Sequence, residues 1–60
     1  MKKVDVQYCD QFGYWRHYQT KHNLPEAHRL MHKRASKTGL KHRLVEKTGY
    51  GERLIDLANP

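Results

Sequence analysis

The chain has a single cysteine, Cys9, so no internal disulfide can staple it, and that usage fits a reducing compartment. It has no apolar run approaching the roughly 20 residues that a membrane-spanning helix needs, and its mean hydropathy is -1.06. Large apolar residues are also scarce. Leu, Ile, Val and Phe together supply 11 of the 60 residues, just under the roughly 20% below which disorder becomes a serious expectation. Four Tyr and one Trp offset part of that deficit, each adding about 150–250 Å² of surface to bury. A core of this size rarely supplies more than about 3–5 kcal/mol. Met1-Lys2-Lys3 opens like a secretory leader, but Val4-Asp5-Val6-Gln7-Tyr8-Cys9-Asp10 follows where an apolar stretch is required. A cytoplasmic protein without a membrane segment is expected.

Length sets a further bound. A ligand pocket of roughly 300–1,000 Å³ would consume most of a 60-residue chain. The expectation is a single small basic binding domain over residues 1–60, not an enzyme.

The clearest local signal runs from Asn23 to Leu40. Asn23 followed by Glu26 has the spacing of a capping box, in which the Asn oxygen accepts a free backbone N–H and the Glu reaches back. Pro25 falls in the first turn, where a missing N–H costs nothing. Gly39 supplies the left-handed residue after the last turn, with Leu40 folding back toward Ala35. These bounds predict a helix from Leu24 to Thr38. At 100° per residue Leu24, Ala27, Leu30, Met31, Ala35 and Thr38 share one side, and Arg29, Lys33, Ser36 and Lys37 lie opposite.

The flanks read as strands. Val4, Val6 and Tyr8 alternate with Asp5, Gln7 and Cys9. Asp10-Gln11-Phe12-Gly13 is turn chemistry, and Tyr14 to Lys21 is the return strand. Lys41 to Lys47 and Arg53 to Leu57 bracket Thr48-Gly49-Tyr50-Gly51-Glu52, a hairpin loop. The order is β-β-α-β-β, and the economical fold is α+β: a small antiparallel sheet with one amphipathic helix packed on one face. The other face is left open. Strict alternation puts Trp15, His17 and Gln19 on one side of the second strand, and Tyr14, Arg16, Tyr18 and Thr20 on the other. In the last two strands it assigns Leu40, Leu44, Ile55 and Leu57 to the core and points Val45 and Leu54 outward.

Acidic residues are missing from one long stretch. Between Glu26 and Glu46 there is none, while Arg29, Lys33, Arg34, Lys37, Lys41 and Arg43 all fall there. The whole formal net charge of +6 belongs to this segment, because the residues before it sum to +1 and those after it to -1. Six cations without an acid repel one another unless something anionic meets them, and a phosphate backbone or an acidic protein surface would do so. Tyr14, Trp15 and Tyr18, with Arg16 and His17 between them, offer rings on which unpaired bases stack. Tyr50, at a hairpin tip, is a further contact candidate.

Other constellations carry less. His28 and His32 share a helix face, but Cys9, His17 and His22 complete no common zinc spacing, and Arg29 stands where a zinc protease needs Glu. Cys9 with His17 lacks an orienting group and an oxyanion site. Gly49-Tyr50-Gly51 lacks the Lys and following helix of a phosphate loop. No catalytic residue, cofactor or metal is expected. The leading expectation is a non-enzymatic module that docks on nucleic acid or a nucleoprotein complex through the six basic residues, with Tyr14, Trp15, Tyr18 and Tyr50 as stacking or apolar contacts. The alternative is an accessory or inhibitor protein that meets an acidic patch of a larger host enzyme through its open sheet face. In size and layout it resembles small phage or mobile-element proteins of that kind. An uncovered sheet edge also offers pairing with a second copy, a homo-oligomer.

Overall fold

The structure, a computed structural model, describes residues 3–60. Strands β1 (Lys3–Cys9) and β2 (Trp15–Lys21) precede helix α1 (Leu24–Thr38), and β3 (His42–Thr48) and β4 (Gly51–Ala58) follow it. All neighbouring strands are antiparallel, and the sheet order is β2-β1-β3-β4. The two hairpins therefore join through their first strands, leaving β2 and β4 as edges. This is the expected α+β fold.

Helix α1 has the expected bounds because its end signals are local. Asn23 Oδ1 accepts the Glu26 N–H at 3.3 Å, and Gly39, at φ 72°, donates its N–H to Ala35 O at 3.0 Å. Ala27, Met31 and Ala35 are buried, with Leu30 packed beside them. The two alanines let the helix sit close to the sheet. Met31 then fills the space over Val6 and Leu44, and all three side chains are fully buried. Leu24, in the first turn, stays 42% exposed, and Thr38 turns its hydroxyl back to Arg34 O.

The hairpin turns are built by short polar side chains. Asp10 Oδ1 accepts from the amides of both Phe12 and Tyr14 at 2.9 Å, while Gly13 takes a φ of 87°. Tyr14 thus belongs to the turn and not to β2. At the second hairpin β4 begins at Gly51, two residues earlier than the glycine-rich segment suggests, because Thr48 Oγ1 donates to Gly51 O and tightens the loop to Gly49-Tyr50.

Each edge strand carries one extra residue. Val6 faces Gln19 and Gln7 faces His17, so Tyr18 is bulged; Val45 faces Leu54 and Leu44 faces Asp56, so Ile55 is bulged. A bulge reverses the alternation beyond it, which corrects two assignments made from strict period two. On β2, Thr20 joins Trp15 and His17 on the open face, while Gln19 turns to the helix side with Tyr18. On β4, Leu57 leaves the core for the open face, where it is 46% exposed, while Ile55 still packs against the core. Val45 and Leu54 do point away from the helix, but Val45 is only 3% exposed.

Candidate functional site

The six basic residues form three groups. Arg29, Lys33 and Lys37 are exposed on the outer side of α1. Their four-residue spacing puts successive cations about 6 Å apart along the helix. Arg34 lies on the flank of α1 toward β2, with its guanidinium 4.4 Å from the Tyr18 ring centroid. Its Nε is buried without a hydrogen-bond partner. Arg43 is on the opposite side of the sheet. Its Nε donates to Gln7 Oε1 at 2.7 Å, and its guanidinium sits 4.4 Å from the Trp15 ring centroid. Lys41 joins it there, because the Cys9 N–H donates to Lys41 O and carries the β1–β3 pairing one residue beyond the strand. The segment that is continuous in sequence thus divides between two layers.

Three carboxylates are engaged by partners outside this set. Asp10 Oδ2 accepts from Arg16 Nε at 2.9 Å, Glu46 lies 3.6 Å from Arg53, and Asp56 lies 3.3 Å from His28. The Arg16 guanidinium, then the amides of Tyr14 and Phe12, hold the Asp10 carboxyl below its ordinary value of 3.8. Asp10 in turn raises the Arg16 guanidinium. Among the described residues no carboxylate is within ion-pair distance of any of the six cations of the basic segment.

The open face is an ordered polar surface with an apolar margin. Asp5 is buried there, 3% exposed, and a buried carboxylate needs partners. Lys47 Nζ lies 3.1 Å from one oxygen, and Thr20 Oγ1 donates to the other at 2.9 Å. Since Thr20 gives its proton to Asp5, its 3.0 Å contact with His17 Nε2 is one in which the imidazole donates. Beside this network Val45, Leu54 and Leu57 form an apolar strip, next to Arg43 across β3 and β4.

The four candidate aromatics do not share a platform. Trp15 is on the open face, Tyr18 is under Arg34 on the helix side, and Tyr14 and Tyr50 occupy turns at opposite ends of the sheet, 66% and 103% exposed. Phe12 is 72% exposed beside Tyr14. It is not among the contact candidates the sequence suggests, although an aromatic inside the turn Asp10–Gly13 has little to pack on. The network of Asp5, His17, Thr20 and Lys47 was also missed, since it depends on strand register. The described residues enclose no pocket, and none of their helices is long and apolar enough to cross a membrane.

Comparisons with protein-family models, curated proteins and solved structures find no match to this chain.

Proposed function

We propose that the protein is a non-enzymatic module that docks on nucleic acid, alone or in a nucleoprotein complex, through the outer face of α1. The observation that supports this reading most is the line of Arg29, Lys33 and Lys37. Among the described residues no carboxylate lies within ion-pair distance of these three exposed cations, although Glu26 stands on the same helix face a turn before Arg29, and Asp10 and Glu46 are paired away from the helix. A phosphate backbone relieves their mutual repulsion, and releasing its counterions drives the association. The contact is to backbone charge, so affinity should be broad across sequences. Arg34 and Tyr18 flank the line, where a ring and a guanidinium offer a surface for an unpaired base.

A second reading rests on a different surface. Leu54 and Leu57, 58% and 46% exposed, lie beside buried Val45 and the Arg43–Trp15 pair. This apolar strip with cations near it suits a larger, acidic protein partner, as for an accessory or inhibitor of a host enzyme. Paired substitutions separate the two readings. Lys33→Glu with Lys37→Glu should reduce binding to duplexes of every sequence by tenfold or more. Leu54→Asp with Leu57→Asp should leave it within about twofold. The reverse pattern, with capture of a stoichiometric protein that survives nuclease treatment, would favour the second reading.

A further inference from the structure

Helix α1 and strand β4 carry a set of donors that neither the core nor the basic line uses. His28 and His32 are four residues apart, so they stand on one flank of the helix, a turn from each other. Their rings stack with centroids 6.3 Å apart and planes 18° apart. Asp56 faces them from β4. The bulge at Ile55 is what turns this carboxylate toward the helix, and its Oδ2 comes within 3.3 Å of His28 Nδ1. One donor atom from each of the three residues lies within 4.8 Å of the other two.

We infer that His28, His32 and Asp56 bind one divalent transition-metal ion of the zinc class, with a fourth position left for water. Two imidazoles and one carboxylate suit Zn²⁺ or its neighbours, whereas Ca²⁺ and Mg²⁺ require more oxygen ligands. On bonds of about 2.0–2.1 Å, two tetrahedral ligands stand about 3.3–3.5 Å apart. The His28–Asp56 separation already meets that spacing. His32 is exposed, so its ring can rotate to close the third side. The carboxylate is also held for the role: Asp56 Oδ1 accepts the Leu57 N–H at 2.8 Å, which leaves Oδ2 for the ion. In the sequence the remaining candidate ligands for the two histidines are Cys9, His17 and His22, at no common zinc spacing. The fold puts Cys9 and His17 on the open face of the sheet and His22 in the bend before α1. A bound ion would clamp α1 to an edge strand in a chain whose core is small, so the folded state gains stability through metal binding.

The inference does not depend on nucleic-acid binding and is tested with Zn²⁺ alone on the full chain. Titration should show one equivalent bound, with a rise in Tm that a chelator reverses. His32→Ala and Asp56→Asn should each weaken binding tenfold or more while keeping the metal-free circular dichroism spectrum. His22→Ala should bind as the parent does. Co²⁺ in place of Zn²⁺ should give the visible bands of a four-coordinate nitrogen–oxygen site. His28 is half-buried, so if His28→Ala fails to fold, the His32 and Asp56 variants decide. Absence of saturable binding at one equivalent, or binding that both of those variants leave unchanged, overturns the inference.

Discussion

The guanidinium of Arg43, on central strand β3, lies 4.4 Å from the ring centroid of Trp15, on edge strand β2, and spans β1 to reach it. Gln7, on the strand between them, accepts the Arg43 Nε–H at 2.7 Å and fixes the plane of the fork. Two residues with separate roles in the sequence, one basic and one aromatic, are therefore a single unit on the open face.

Arg43→Ala removes a cation–π contact and a hydrogen bond, each of about 0.5–1.5 kcal/mol. Urea unfolding should show a loss of about 1–3 kcal/mol. Trp15 is the only tryptophan of the chain, so its emission should change in the folded variant. Unchanged emission and stability would show that the pair is not formed in solution.

Met31 is fully buried beneath α1, and truncating such a side chain costs about 2–5 kcal/mol. That is comparable to the total stability of about 3–5 kcal/mol that a core this small supplies. Met31→Ala should therefore be largely unfolded at 25 °C by circular dichroism, whereas Met31→Leu should remain folded. A cooperative thermal transition in the alanine variant close to that of the parent contradicts this packing.

The Asp10 lock should depend on pH in one direction. Its folded carboxyl lies below the ordinary 3.8, so the stabilisation it gives the turn is fully present above 3.8 and is lost as pH falls through the lower folded value. The amide resonances of Phe12 and Tyr14 should titrate with a midpoint below 3.8. Arg16→Ala removes the largest cause of the lowering and should move that midpoint up. A parent midpoint at or above 3.8 would contradict the geometry.

The bounds of α1 were legible because capping chemistry is local: Asn23 and Gly39 act on residues within one turn of themselves. The strands were legible as elements, since Val4, Val6 and Leu44 keep period two in the central pair. The side assignments of Thr20 and Leu57 were not, because the bulges at Tyr18 and Ile55 appear only when β2 and β4 are paired with their neighbours. The same bulge hid Asp56, which has no sequence relation to His28. The six cations were visible as a segment, but whether they form one surface depends on the helix and β3 lying in different layers. Arg43 and Lys41 are separated from Arg29, Lys33 and Lys37 by the thickness of the fold.

That separation gives the central claim its sharpest test, the salt dependence of binding to duplex DNA. Phosphate contacts by Arg29, Lys33 and Lys37, with Arg34 at their flank, correspond to about three or four neutralised charges. The log–log slope of affinity against salt should then be about -3, a loss of roughly fiftyfold to hundredfold between 50 and 200 mM. A slope of about -5 would mean that all six cations engage together, against their division between two layers. A slope near zero, or no binding at 50 mM salt, contradicts the account.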